Sequence, residues 1–124
     1  MRLLLDTHVL VWFGRDDPRL SREARHALIN LGAELLISSV TAFEFEDLRA
    51  RGRFGEVGPL EVLARALHAA VIDYPAEAAS IAALLPPHHL DPVDRMLIAH
   101  AKHADVTLMT ADETMQRYPI RTLW

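Results

Sequence analysis

Four acidic residues stand at or near the ends of short apolar runs, where their carboxylates could share one site. Asp6 follows the run LLL, Glu44 lies in a helical stretch after ELLISS, Asp94 lies within LDPVDRMLIAHA, and Asp112 follows VTLMT. Carboxylates gathered in one pocket repel each other, which raises their pKa values and costs stability. A divalent cation among them would offset that cost.

The residue types narrow the choice of cation and of chemistry. The chain has no cysteine, so only oxygen or imidazole ligands are available. Oxygen ligands in octahedral geometry suit Mg²⁺ or Mn²⁺. Such an ion lowers the pKa of a bound water, orients a scissile phosphate and neutralises charge on the leaving oxygen. The four carboxylates therefore indicate metal-dependent hydrolysis of phosphate esters.

The stretch LDPVDRMLIAHA, residues 90–101, also has a purely structural interpretation. Asp91 stands at an N-cap, Pro92 suits the first helical position, and Asp94 stands at N3 beside the positive end of the helix dipole. Capping explains both aspartates, and each of the other acids has a similar structural alternative. The metal site is favoured only because all four can be assigned to one rim of the fold.

Hydrophobic period and turn residues predict strands that alternate with helices. Strands are predicted at RLLLD, ELLISS, AVIDY, VTLMT and IRTLW. Helices are predicted at SREARHALINLG, VTAFEFEDLRARG, GPLEVLARALHAA, PAEAASIAALL and the segment opened by Asp91, with ADETMQRY as a short helix or turn. No linker or repeat interrupts this order, so we expect one domain over residues 1–124.

This alternation predicts an α/β fold, with a mainly parallel central sheet covered by helices on both faces. In such folds the site lies outside the carboxyl ends of the strands. Asp6, Glu44 and Asp112 fall at that edge, and Asp94 joins them if its helix begins there.

Composition excludes several classes of protein. Hydrophobic residues make up 51% of the chain, enough for a real core. The longest apolar stretch, from Leu3 to Phe13, is interrupted by Asp6 and His8 and is too short to span a bilayer. It also lacks the cleavage site of a secretory signal. We expect a cytoplasmic protein with no membrane association.

The net charge of −4 is unusual for a protein that binds nucleic acid. The basic residues are nearly all arginines, whose forked guanidinium suits phosphate, and Lys102 is the only lysine. Arg49, Arg51 and Arg53 cluster after a predicted helix and are candidate RNA contacts. The same cluster is also typical of a solvated helix end, where cations favour the negative pole of the dipole.

Several hydroxyl and imidazole side chains accompany the acids. Thr7 and Thr110 could hydrogen-bond ligand carboxylates, and His8 could contact substrate. His100 and His103 have a spacing that could hold zinc, but no third ligand is evident beside them. His88 and His89 are interpreted as residues that order the loop before Asp91 or face solvent.

Four segments in this order resemble a known family: LLLDTHVLVW, ISSVTAFEFEDLRARGRF, LPPHHLDPVDRMLIAHA and LMTADETMQRY. The chain is similar to PIN-domain ribonucleases, specifically the VapC-like toxins of type II toxin–antitoxin pairs. The resemblance implies a three-layer α/β/α fold, Mg²⁺ or Mn²⁺, an RNA substrate, a homodimer and a cognate antitoxin. It assigns the acidic site to Asp6, Glu44 and Asp94, with Asp112 as fourth member.

One departure and two alternatives accompany this resemblance. Glu46, Asp47 and Leu48 follow Glu44 where relatives commonly have aliphatic residues and a nearby lysine, which affects the expected RNA path or antitoxin contact. A receiver-like phospho-acceptor domain has a similar length, but LLLDTH lacks its paired acids. A catalytically silent PIN binding module is the other alternative, and the intact acids argue against it.

Overall fold

A computed structural model describes all residues, 1–124, and contains a five-stranded sheet in which every pairing is parallel. The strand order is β3-β2-β1-β4-β5. Leu4 at the centre of the sheet is in register with Leu36 on one side and Leu108 on the other. The strands span Arg2–Leu5 (β1), Glu34–Ser38 (β2), Ala70–Ile72 (β3), Thr107–Met109 (β4) and Thr122–Leu123 (β5).

Six helices connect the strands, as parallel pairing requires a crossover between them. They span Thr7–Gly14 (α1), Arg22–Ile29 (α2), Ser39–Ala50 (α3), Leu60–Leu67 (α4), Ala78–Leu84 (α5) and Pro92–Ala104 (α6), and a 3₁₀ turn follows β4 at Met115–Arg117. None of these helices is long and apolar enough to cross a membrane.

The sheet is buried on both faces because alternate residues of its strands point into two separate cores. Leu3 and Leu5 pack with residues of α1, α2, α3 and α4, whereas Leu4 packs with residues of α5 and α6. The predicted three-layer α/β/α fold is confirmed, and the sheet is wholly parallel.

The predicted elements are found with small shifts at their ends. The helix capped by Ser21 ends at Ile29 instead of Gly32, because Asn30 adopts an extended backbone. Helix α1 was not predicted at all. Its sequence THVLVWFG is apolar almost all round and has no polar face to give a helical period.

The missed helix α1 matters for the site because it turns the chain directly after β1. Asp6 caps α1, and its backbone N–H donates to the carbonyl of Met109, the last residue of β4 (3.1 Å). The first residue after β1 is thereby fixed beside the end of β4, at the carboxyl edge of the sheet.

Candidate metal and catalytic site

Asp6 is the most buried acid at the carboxyl edge of the sheet, with 5% of its surface exposed. One carboxylate oxygen accepts the backbone N–H of Thr7 (2.7 Å), and the other accepts the hydroxyl of Thr110 (2.7 Å). Burial raises the pKa of the Asp6 carboxyl above its ordinary value, although both hydrogen bonds favour the anion. Burial therefore disfavours the charged form of Asp6 more than these hydrogen bonds favour it.

Asp112 is held next to Asp6 by the same threonine. The hydroxyl of Thr110 accepts the backbone N–H of Asp112 (3.0 Å) while donating to Asp6. Asp112 Oδ1 accepts the N–H groups of Thr114 (2.8 Å) and Met115 (3.1 Å), which opens the 3₁₀ turn. Its other oxygen, Oδ2, contacts His89. Thr110 thus hydrogen-bonds both aspartates.

Asp94 enters from helix α6, where Asp91 is the N-cap. Asp91 Oδ1 accepts the N–H groups of Val93 (2.9 Å) and Asp94 (3.1 Å), and Pro92 occupies the first turn. The Asp94 side chain makes no capping hydrogen bond and is only 20% exposed. Burial raises the pKa of Asp94 to about 7, and the negative charges of Asp6 and Asp91 contribute.

His89 connects Asp94 to Asp112. Its Nε2 lies 3.0 Å from Oδ2 of Asp94 and 3.0 Å from Oδ2 of Asp112. Its Nδ1 accepts the backbone N–H of Asp91 (3.2 Å), so the ring hydrogen belongs on Nε2, which donates to the two carboxylates. This hydrogen bond lowers the pKa of Asp112, although burial alone would raise it.

The loop that carries His89 is fixed by two residues outside the site. The Arg95 guanidinium donates to the carbonyls of Ala82, Leu85, Pro86 and His89 at 2.8–3.2 Å. From the other side, the Tyr118 hydroxyl donates to Pro86 O (2.6 Å) and accepts the His89 N–H (2.9 Å). From the sequence, His89 is expected only to order this loop or to face solvent, and no role is expected for Arg95 or Tyr118.

Glu44 reaches the site through Thr7. The Thr7 hydroxyl donates to Glu44 Oε1 (2.6 Å), and Thr7 is itself buried beside Asp6. Burial raises the pKa of Glu44, and the hydrogen bond from Thr7 only partly offsets this. Glu44 is not among the residues that line the acidic pocket, so its link to the other acids is indirect in this geometry.

The acidic pocket has a volume of about 240 Å³ and is lined by Asp6, His8, Trp12, Asp94, Ala111 and Asp112. The His89 nitrogen and one carboxylate oxygen each of Asp94 and Asp112 lie within 4.8 Å of one another. Carboxylate oxygens are ligands that Mg²⁺ and Mn²⁺ prefer, so the chemistry of this donor set fits a divalent cation. Asp6 is not one of these three donors, although it lines the same pocket.

A larger cavity of about 510 Å³ lies elsewhere and has a different character. It is lined by mostly apolar residues of α2, α4 and their flanking turns, among them Leu28, Leu31 and Leu67. It contains no carboxylate and shares no residue with the acidic pocket. Three of the four predicted acids, Asp6, Asp94 and Asp112, line the smaller pocket instead.

The predicted arginine cluster is divided by the fold. Arg49 pairs with Glu46 (3.2 Å) and also donates to the Val57 carbonyl, and Arg51 pairs with Asp47 (3.1 Å). These contacts account for the two acids that follow Glu44 in the sequence. Arg53 instead lines a groove next to the acidic pocket.

The histidine pair on helix α6 does not form a metal site. His100 is buried and its Nδ1 hydrogen-bonds the Ser38 hydroxyl (2.9 Å), and its ring packs edge-on against Tyr74. Burial lowers the pKa of His100, so it serves as a neutral core residue. His103 is exposed.

Residues 3–120 match the PIN domain family, and the chain belongs to that family. The predicted family is thereby confirmed, and the receiver-like alternative is set aside. No curated protein sequence matches the chain.

Solved structures with the same fold are found among toxin–antitoxin proteins. VapBC2 from Rickettsia felis, bound to a promoter DNA fragment, is 17% identical with a TM-score of 0.72, covering 99% of this chain and 98% of that one. A toxin–antitoxin complex from Klebsiella pneumoniae is 20% identical with a TM-score of 0.69 and coverages of 98% and 96%. Mycobacterium tuberculosis VapC20, described as a Sarcin-Ricin loop cleaving toxin, is 15% identical with a TM-score of 0.69 and covers 95% of each chain.

Proposed function

We propose that the chain is a Mg²⁺- or Mn²⁺-dependent endoribonuclease and the toxin of a type II toxin–antitoxin pair. The observation that carries this proposal is the pocket onto which Asp6, Asp94 and Asp112 converge at the carboxyl edge of the sheet. Burial raises the pKa values of two of these carboxyls, Asp6 and Asp94. Such a pocket is costly to build unless it binds positive charge.

Asp6, Asp94 and Asp112 would hold the divalent cation. Glu44 is connected to this site only through the hydrogen bond that it accepts from Thr7. A cation bound there supplies an activated water and positive charge for the scissile phosphate. Thr110 orients Asp6 and Asp112 through its two hydrogen bonds. His89 Nε2 contacts Oδ2 of both Asp94 and Asp112 and so holds these two oxygens close together.

RNA is the proposed substrate for two reasons, which are the arginines beside the pocket and the description of one protein with the same fold. Arginines lie next to the pocket although the whole chain carries a net charge of −4. The structurally similar VapC20 is described as cleaving the Sarcin-Ricin loop, and PIN family membership is consistent with nuclease chemistry.

A cognate antitoxin and a second copy of the chain are the proposed protein partners. The similar structures from Rickettsia felis and Klebsiella pneumoniae are toxin–antitoxin assemblies. The chain also exposes large apolar side chains that an assembly could cover, including Phe43 at 70%, Leu84 at 85% and Leu31 at 97% exposure. Light scattering of the purified chain, alone and with its antitoxin, would measure both associations.

Cleavage of purified cellular RNA by the purified chain tests the activity. We expect cleavage with Mn²⁺ or Mg²⁺, none with excess chelator, and a loss of orders of magnitude for Asp94→Asn. Asp91→Asn is the matched control three residues away, because asparagine caps about as well as aspartate. A protein that binds RNA in Mn²⁺ without cleaving it would instead be a silent PIN binding module. Mapping of the new RNA ends would identify the target.

A further inference from the structure

His89 lies between two carboxylates of the acidic pocket, and its distances to them allow two different roles. Its Nε2 lies 3.0 Å from Oδ2 of Asp94 and 3.0 Å from Oδ2 of Asp112. Two neighbouring ligands of one octahedral Mg²⁺ ion stand at about the same distance, so Nε2 could be a third ligand of a cation. It could equally donate a hydrogen bond to oxygens that hold the cation. The other contacts of the ring decide between these roles.

The second nitrogen of the ring identifies His89 as a donor. His89 Nδ1 accepts the backbone N–H of Asp91 at 3.2 Å. A nitrogen that accepts an N–H cannot itself carry a hydrogen, so the hydrogen of the neutral ring lies on Nε2. An Nε2 that carries a hydrogen has no lone pair to offer to a metal ion. Asp91 is the N-cap of helix α6, so the start of this helix fixes the form of the ring.

The two carboxylates can accept a hydrogen bond from His89 and still bind a cation. Each carboxylate oxygen has two lone pairs, and one N–H uses only one of them at Oδ2. Asp112 Oδ1 already accepts the N–H groups of Thr114 and Met115, which leaves Oδ2 as the oxygen better able to bind a cation. A donor at His89 therefore brings two ligand oxygens together without taking the place of the ion.

The Tyr118 hydroxyl keeps His89 in this position. It donates to the Pro86 carbonyl (2.6 Å) and accepts the backbone N–H of His89 (2.9 Å). Tyr118 is only 2% exposed and packs in the core with residues of α5 and α6. It directly follows the 3₁₀ turn that Asp112 opens. The hydroxyl thus connects the segment that carries Asp112 with the loop that carries His89 and leads to Asp94.

We propose that His89 is a positioning residue of the cation site, a hydrogen-bond donor and not a nitrogen ligand, and that Tyr118 acts through it. The cation is then bound by oxygens alone, which suits Mg²⁺ and Mn²⁺, whereas an imidazole ligand would suit Zn²⁺ or Ni²⁺. The inference rests on the proposed function, because it concerns the cation that the nuclease would use. It adds the residues that set the affinity of the site and its preference among metals.

Spectroscopy of the metal-loaded protein distinguishes a donor from a ligand. Electron spin echo modulation of bound Mn²⁺ detects a directly coordinated imidazole nitrogen. At saturating Mn²⁺ we expect the same spectrum from the parent and from His89→Leu, since neither binds the ion through residue 89. In the imidazole nitrogen NMR spectrum, titration with diamagnetic Mg²⁺ should leave the hydrogen on Nε2 of His89. A nitrogen coupling that is present in the parent and lost in His89→Leu would overturn the inference, as would loss of the Nε2 hydrogen on addition of Mg²⁺.

The affinity for metal, measured by calorimetry without RNA, tests the positioning role. His89→Leu should bind Mn²⁺ and Mg²⁺ about 10–100-fold more weakly, the usual cost of losing a residue that orients metal ligands. The ratio of the two dissociation constants should stay that of the parent, because loss of a nitrogen ligand would weaken Mn²⁺ binding more than Mg²⁺ binding. His89→Gln keeps an N–H donor and should restore most of the affinity. Unchanged affinity in His89→Leu, or a changed ratio, would overturn the inference.

Tyr118→Phe tests whether the hydroxyl acts through His89. It should weaken Mn²⁺ binding about tenfold in the parent and cause no further loss in a His89→Leu background. Tyr74→Phe is the matched control, because the Tyr74 hydroxyl is buried without a hydrogen-bond partner and lies outside the pocket. Its affinity for Mn²⁺ should equal that of the parent. Equal losses from Tyr118→Phe in both backgrounds would overturn the role assigned to Tyr118.

These results separate the inference from the ribonuclease proposal. If the parent binds Mn²⁺ and cleaves RNA while His89→Leu binds the metal equally well, the inference fails and the nuclease stands. If the parent binds no Mn²⁺, the cation site of the proposed function fails, and the inference with it.

Discussion

Asp94→Asn should stabilise the protein at pH 8 in the presence of chelator, although it removes a residue of the proposed active site. The Asp94 carboxyl has a pKa of about 7 in the folded chain and 3.8 as its ordinary value. Between these values the folded carboxyl keeps a proton that the unfolded one has lost. The unfolded state then binds fewer protons, so stability falls as the pH rises through this interval.

The gain in the free energy of unfolding follows from the difference between these two pKa values. The full difference corresponds to roughly 4 kcal/mol. The Asp94 side chain is 20% exposed, and asparagine loses a favourable interaction with the helix dipole. We therefore expect a gain of about 2 kcal/mol, which raises the melting temperature by about 8 °C for a chain of this size. Asparagine does not ionise, so the variant lacks the part of the fall in stability that Asp94 contributes between about pH 4 and pH 7.

Thermal melting of parent and variant at pH 4 and pH 8 measures this gain. The two should melt at similar temperatures at pH 4, near the lower end of the interval, and separate at pH 8. Addition of Mn²⁺ at pH 8 should narrow or reverse the difference, because a ligand at 100 times its Kd stabilises the parent by about 2.7 kcal/mol. Asp73→Asn, an exposed aspartate, serves as the control. An Asp94→Asn variant that melts below the parent at pH 8 without metal would refute the proposed cost of the buried Asp94 charge.

Substitutions at three further positions test the groups that position the site. Asp91→Ala should cost about 1 kcal/mol through the lost cap, while Asp91→Asn costs little; equal melting temperatures of alanine variant and parent would contradict this. Thr110→Val should cost about 2 kcal/mol because it leaves a buried oxygen of Asp6 and the N–H of Asp112 unpaired, as measured by urea unfolding. Arg95→Lys cannot reach four carbonyls, so titration calorimetry should show weaker Mn²⁺ binding once the His89 loop loosens; unchanged affinity would exclude this role.

The parts of the fold that the sequence predicts well are those set by local interactions. Ser21 and Asp91 cap their helices as expected, and Pro92 stands in the first turn of α6. These positions depend only on residues within one helical turn, so they can be recognised without knowledge of the tertiary structure. The strand order needs contacts between distant segments and could not be derived this way.

The site was only partly predictable for the same reason. The carboxyl-edge rule indicates that Asp6 and Asp112 lie together, and the fold places both in one pocket. The position of His89 depends instead on Arg95 and on Tyr118, which is 29 residues away in sequence. Likewise, Arg51 pairs with Asp47, whereas Arg53 lines the groove next to the acidic pocket. The two side chains have different surroundings because the chain turns after α3.

The central claim is that the pocket of Asp6, Asp94 and Asp112 binds the cation that RNA cleavage requires. The most direct test is one Mn²⁺ titration of a single preparation, with metal binding followed by calorimetry and RNA cleavage followed by gel. We predict that cleavage saturates over the same Mn²⁺ concentrations as binding, and that Asp6→Asn weakens both while remaining folded. Cleavage that persists in excess chelator, or at full rate in Asp6→Asn, would contradict the account.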